Sequence, residues 1–178
     1  MAPQQLWVTY LELREPPASA PSHIGPECIR LEAMAGTEYL DLYRRVGGPL
    51  RWDSRFNMSI EELESILAGG SLHVYVLRAG ETDAAVGGET GSAALGLCEF
   101  ERRAFPEIEL KHFGLVPEAQ GRGLGPWLLS TTLELEWAAG AGRIWLHTDD
   151  WDHPAAVRVY RRAGFKVYDA RYRAVREL

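Results

Sequence analysis

The sequence predicts an α/β fold, a mixed sheet covered by helices. Two observations carry this. Segments of strand-like alternation are interleaved with segments of helical spacing, and a glycine-rich turn in the middle of the chain joins an extended run to a helix. With 178 residues and 46 % hydrophobic content, the chain suits one domain over 1–178 with a sizeable core, and six tryptophans argue against disorder. A net charge of −6 argues against wholesale binding to nucleic acid or an anionic membrane but permits a local basic patch. Cys28 and Cys98 make neither a disulfide framework nor a metal cluster, so no metal is expected. The start MAPQQLWVTY lacks a basic region followed by a long apolar run, and no stretch approaches 18 apolar residues. With two free thiols, these features predict a cytoplasmic protein.

In chain order, Leu6, Val8 and Tyr10 alternate with more polar neighbours, which predicts a first strand ending near Leu13. The prolines of REPPASAPSHIGPE then enforce a loop, open to two uses, lining an acceptor pocket or simply crossing the surface. Residues 30–46 carry Leu31, Met34, Tyr39, Leu42, Tyr43 and Val46 at roughly helical spacing, interrupted by Gly36 and stopped by Gly47, Gly48 and Pro49. In the following loop, Trp52 reads as a core or dimer anchor and Arg55 as its surface neighbour. Ser59 with Glu62 forms a capping box for a helix to about Leu67.

LHVYVLRAG predicts a strand whose two faces are both mostly apolar, so His73 reads as a packed or hydrogen-bonded residue rather than a ligand. The glycine-rich ETDAAVGGETGSAA follows, with room for a short strand piece near Val86, before ALGLCEFERRAF resumes extended structure. Cys98 reads as a small buried side chain. After the central turn, Leu124, Leu128, Leu135 and Ala138 form a helical stripe widened by Leu129, Leu133 and Trp137. Ile144, Leu146 and Thr148 alternate in the next strand, Pro154 suits the first turn of the next helix with Asp152 or His153 near its cap, and a last strand begins at Phe165. The expected order is one strand, two helices, three strands, then helix, strand, helix and strand.

The stretch EIELKHFGLVPEAQGRGLG, Glu107 to Gly125, concentrates the chemistry. An extended run ends at Pro117, which cannot donate to a sheet ladder, and Gly121, Gly123 and Gly125 let backbone approach a ligand. Unpartnered amides at a helix start suit an anionic group such as a phosphate. Neither GxGxxG nor GxxxxGK[ST] is present, because Pro126, Trp127 and Leu128 follow the glycines. Instead Gln120, Gly121, Arg122, Gly123, Leu124 and Gly125 fit Q/R-x-x-G-x-G/A, and Ala156, Tyr160, Gly164 and Phe165 fit Ala-x-x-x-Tyr-x-x-x-Gly-Phe. In these residues the chain resembles the GCN5-related N-acetyltransferases (GNAT), most closely over residues 107–165.

The resemblance implies a mostly antiparallel central sheet flanked by helices, with splayed central strands forming an acyl-CoA cleft. It implies acetyl-CoA as cosubstrate, with pantetheine along Leu115 and Val116 and pyrophosphate at the turn from Gln120 through Gly121, Arg122, Gly123 and Leu124 to Gly125. It also implies Glu109, eleven positions before Gln120, as the general base for a primary amine, Tyr160 as the acid for the departing thiolate, and Trp52 and Arg55 as acceptor contacts. The alternative for Glu107 and Glu109 is to face solvent or pair with Lys111 and Arg102. On an ideal strand Glu107, Glu109 and Lys111 share one face and His112 takes the other, which makes His112 the less favoured base. The family's asparagine seven positions before the tyrosine is His153 here. The expected activity is acetyl transfer to a small-molecule amine or a protein amino group, with a non-catalytic acyl-CoA-binding or sensing protein as the alternative. A structural interaction protein with tryptophan interfaces is a third reading, and family habit leaves a homodimer open.

Overall fold

The computed structural model describes residues 5–80 and 92–174; the strand piece expected near Val86 lies outside them. In chain order the elements are β1 (Gln5–Leu13), β2 (Cys28–Leu31), α1 (Gly36–Gly47), α2 (Ile60–Ala68), β3 (Leu72–Arg78), β4 (Ala94–Glu101), β5 (Glu107–Leu115), α3 (Leu124–Ala138), β6 (Arg143–Asp149), α4 (Ala156–Arg162) and β7 (Lys166–Ala174). The strands form one sheet in the order β2-β3-β4-β5-β6-β1-β7. Among the described residues only β5 and β6 run parallel; the other neighbours are antiparallel, giving the mixed, mostly antiparallel sheet expected.

Successive residues of a strand point to opposite faces, so two neighbours on β4 identify the layers. Glu99 meets Tyr39 of α1, while Cys98 accepts a hydrogen bond from Thr132 of α3. Helices α1 and α2 therefore cover one face and α3 the other. Phe113, opposite Cys98 in the ladder, packs against Tyr160, which puts α4 on the α3 side. Each helix buries an apolar stripe against the sheet: Tyr39, Leu42, Tyr43 and Val46 from α1, and Leu124, Leu128, Leu129 and Leu133 from α3. Leu135 departs from its expected place in the stripe and is half exposed, and Glu136 takes an interior position instead.

One strand was not foreseen. Residues 28–31 pair with β3 at the sheet edge, and the helix expected over residues 30–46 begins only at Gly36. Four half-exposed residues carry no readable period, and their extended form comes from β3, which supplies backbone partners across the ladder. Gly36 marks the new start because α2 lies against it: an added Cβ would come within 2.7 Å of Ile60 Cδ1.

Strand β1 lies between β6 and β7, whereas β2 is at the opposite edge. The proline-rich loop must therefore cross the sheet, and it does so over the α3 and α4 side. Ala18 N–H donates to Ala163 O, Ala20 N–H to the Glu134 carboxylate, His23 stacks on Trp127, and Glu27 pairs with Arg122. None of residues 14–27 lines the central cleft, which leaves the surface-crossing use of this loop.

Away from the cleft, the buried carboxylate of Glu136 pins α3 to the sheet. It accepts a 2.8 Å bond from Tyr75 Oη and lies 2.5 Å from His73 Nδ1 and 3.2 Å from Arg102 Nε, the last an ion pair without hydrogen-bond alignment. Removing one member of a buried charged cluster leaves the rest uncompensated. Glu136→Ala is expected to lower unfolding stability by about 3 kcal/mol in urea; a loss below about 1 kcal/mol would show that water already serves these groups.

Candidate active site

The cleft begins where two parallel strands part. β5 pairs with β6 only from Glu107 to Glu109, opposite Arg143 to Trp145, although both strands continue. The opened space, about 800 Å³, is lined by the remainder of β5, by the end of β6 and the turn after it, by α4, and by the loop after α1. Across its mouth the Arg51 guanidinium lies 5.2 Å from the ring centre of Trp151. Arg51 adopts φ 59°, a left-handed conformation uncommon for a residue with a side chain.

At one end lies the glycine-rich turn. Gly121 and Gly123 have φ of 75° and 77°, and an added Cβ at either would meet no atom within 4 Å, so the turn is open to a ligand rather than packed. Gly123 is the N-cap of α3 and no side chain caps this helix, which leaves its first amides free for an anion. Pro126 is in the first turn, where its missing N–H would have had no intrahelical partner, so it costs the helix no bond. Gln120 Nε2 donates to Leu115 O at 3.3 Å, tying the turn to the end of β5. These features fit a pyrophosphate-bearing cosubstrate.

The residues marked by the sequence divide into three groups. Leu115, Gln120, Gly121, Gly123, Gly125 and Tyr160 line the cleft. Val116 and Leu124 are buried beneath its wall. Arg122 is turned away to Glu27, and Glu109 lies behind the lining. Burial alone would raise the Glu109 carboxyl, but His147 at 3.6 Å and Lys111 at 3.3 Å outweigh it and hold the group below its ordinary range. His147 itself lines the cleft, so Glu109 reaches the space through an imidazole. Tyr160 is 8 % exposed, and burial raises its phenol pKa well above the ordinary value, keeping the proton in place. Asp149, Asp152 and His153, from the end of β6 and the turn after it, and Asp53, from the loop after α1, also line the cleft.

The sequence reading did not mark the most heavily buried ionic group beside the cleft. Glu99, wholly buried on β4, is bonded by Arg55 and by Tyr39 Oη, and His112 Nδ1 lies 3.2 Å from its Oε1. His112 lines the cleft, and its Nε2 is 3.3 Å from Tyr43 Oη and 3.5 Å from Ser54 Oγ. A bulge brings it there: Glu101 opposes Glu109, Phe100 opposes Leu110, and Glu99 opposes His112, leaving Lys111 as the extra residue. Directly opposed residues share a face, so His112 joins Glu99 and Glu109 rather than taking the other side as on an ideal strand. The signal available in sequence was a glutamate inside the apolar run ALGLCEF.

Full burial favours the protonated form of Glu99, yet the His112 and Arg55 charges and the hydrogen bonds outweigh it and lower the carboxyl from 4.5 to about 2. The folded state therefore binds fewer protons than the unfolded one. This group stabilises the fold above about pH 4.5, and the contribution is lost as pH falls toward about 2. Glu99→Gln is expected to flatten the pH dependence of stability in that window, measured by urea unfolding at a series of pH values. An unchanged slope would mean that Glu99 is not ionised in the folded protein.

The profile described as the acetyltransferase (GNAT) family matches residues 50–165. No protein of curated function matches the chain in sequence. Among solved structures, a GCN5-related N-acetyltransferase from Sphaerobacter thermophilus is 21 % identical, with TM-score 0.61 over 96 % of this chain and 50 % of its own. One from Kribbella flavida is 14 % identical, with TM-score 0.56 over 92 % of this chain and 55 % of its own. The spermidine N-acetyltransferase of Vibrio cholerae, in complex with CoA and spermine, is 18 % identical, with TM-score 0.58 over 78 % of this chain and 80 % of its own. At these identities the likeness is one of fold, and the chain spans about half the length of the first solved structures it matches. Because the family profile covers the splayed strands, the glycine-rich turn and Tyr160, and extends over well over half of the chain, the chain belongs to the GNAT acetyltransferase family.

Proposed function

We propose that this chain is one acyltransferase domain that moves the acetyl group of acetyl-CoA directly to a primary amine. The observation that carries this is a single cleft lined by the turn at an open, uncapped helix start, by a buried, protonated phenol and by carboxylates. Acetyl-CoA supplies an activated thioester. The chain's part begins at the turn, where the amides of Gly121 to Gly125 receive the pyrophosphate and Gln120 holds the turn against β5. Beyond Glu109, β5 has no strand partner on its β6 side among the described residues, so its edge near Leu115 and Val116 offers backbone groups to the pantetheine arm. Leu124, buried below, fixes the helix start, while Arg122 is paired with Glu27 outside the cleft lining.

In the same cleft Tyr160 gives its proton to the departing thiolate, and burial keeps that proton on the phenol until the thiolate forms. The carboxylates of Asp53, Asp149 and Asp152 favour a cationic acceptor, with Glu109 adding negative charge through His147. The similar Vibrio cholerae protein acetylates spermidine by its description and was solved with CoA and spermine, which supports an amine acceptor here. A small amine or a protein amino group both fit a cleft open to solvent.

Two measurements test this reading. Calorimetric titration is expected to give saturable acetyl-CoA binding that is lost in Gly123→Trp, since an indole at this position would fill the open turn. No binding by the folded parent would overturn the assignment. Tyr160→Phe is expected to keep acetyl-CoA affinity and lose about 100-fold in kcat with an accepted amine; unchanged turnover would remove the tyrosine from the chemistry.

A further inference from the structure

We propose that His112 is the general base of this site, held in the working tautomer by Glu99, with the Ser54 and Tyr43 hydroxyls at its free nitrogen. The proposal rests on the acyl-transfer reading above. Its own evidence is geometric. An ionised carboxylate can only accept, so Glu99 Oε1, 3.2 Å from Nδ1, requires the proton of a neutral imidazole to be on Nδ1. The lone pair is then on Nε2, the nitrogen that meets the Ser54 and Tyr43 hydroxyls at the cleft wall. Trp52 and Tyr43 pack against the ring, each with its centre 5.0 Å away, which limits reorientation.

The charges around the ring suit a proton cycle. From β4 the ring meets Glu99, from α1 Tyr43, and from the following loop Ser54; Arg55 and Tyr39 reach the same carboxylate. Arg55 shares the Glu99 carboxylate with His112, so Glu99 keeps an ionic partner when the imidazole is neutral. When His112 takes a proton, the adjacent carboxylate stabilises the imidazolium. Glu109, by contrast, is already engaged by Lys111 and His147 and does not line the cleft.

In the resulting step the acceptor ammonium loses one proton to His112 Nε2, directly or through the Ser54 hydroxyl. The freed nitrogen lone pair forms the N–C bond, and the C–S bond of the thioester breaks with its electrons going to sulfur. Of the two protons that nitrogen gives up in becoming an amide, one reaches solvent from His112. The other restores Tyr160 after the phenol has protonated the thiolate, leaving an N-acetyl amine and CoA thiol.

The test has two parts. The first needs no turnover: imidazole ¹⁵N–¹H correlation spectra of the folded protein, assigned with His112→Gln, are expected to show the Nδ1–H tautomer with Nε2 unprotonated at mildly alkaline pH. An Nε2–H tautomer would overturn the proposal whether or not an acceptor is known. The second uses any amine accepted by the parent. His112→Gln is expected to retain acetyl-CoA affinity and KM, to lose about 100-fold or more in kcat, and to lose the acidic limb of the pH–rate profile. Equal turnover in His112→Gln, or a limb that persists in it and vanishes in Glu109→Gln, would overturn the assignment. Absence of acetyl-CoA binding by the parent would instead overturn the reading beneath it.

Discussion

Parallel pairing between β5 and β6 stops after Glu109 and Trp145, and most of what distinguishes this molecule depends on that early stop. A strand that loses one neighbour must find other uses for the backbone groups along that edge. In β6 the opposite edge is secured by β1, which pairs with it from Leu13 to Val8. In β5 the opposite edge is secured by β4 along nearly its whole length. Each strand is thus held from outside, and the gap between them can remain open without loss of the sheet. The chain's N-terminal strand, placed between β6 and β7, is therefore part of what keeps the cleft walls apart.

Opening a sheet beside a buried carboxylate creates an electrostatic requirement. Glu99 has no solvent access and is compensated by Arg55 from the loop after α1, by Tyr39 from α1, and by His112 from the half of β5 that borders the cleft. Burying the carboxylate without these partners would cost several kcal/mol. The network consequently ties the loop, the helix and the bulged strand into one unit, and Trp52 packs into the same unit against Gly47, Tyr43 and His112. Trp52 and Arg55 both line the cleft and both are packed, Trp52 against Tyr43 and His112, and Arg55, buried rather than the surface neighbour expected, against Glu99.

The parts legible in the sequence were those with strong local causes. The Ser59–Glu62 capping box is present with both of its bonds, because it depends only on residues three apart. The glycine-rich turn was legible for the same reason, since left-handed backbone at Gly121 and Gly123 is a local demand. Cys98 and His73 were correctly read as buried or bonded side chains, but nothing local named their partners Thr132 and Glu136, which lie 34 and 63 positions away. Strand β2 escaped because its extended form is imposed by β3, and Leu135 escaped because the last turn of α3 rotates its stripe past the sheet.

The residues by themselves determined an α/β chain with a glycine-rich turn at a helix start, a tyrosine in the second helix after that turn, and one strand between the two helices. These follow from backbone freedom, hydrophobic period and the absence of alternative partners near in sequence. Only the tertiary structure decided which side chains reach the cleft. A single extra residue at Lys111 shifts the face of His112, and the pairing of Arg122 with Glu27 turns that cation toward the crossing loop. Both are settled by contacts between segments far apart in the chain, whose energies exceed any preference that a short stretch of sequence can express.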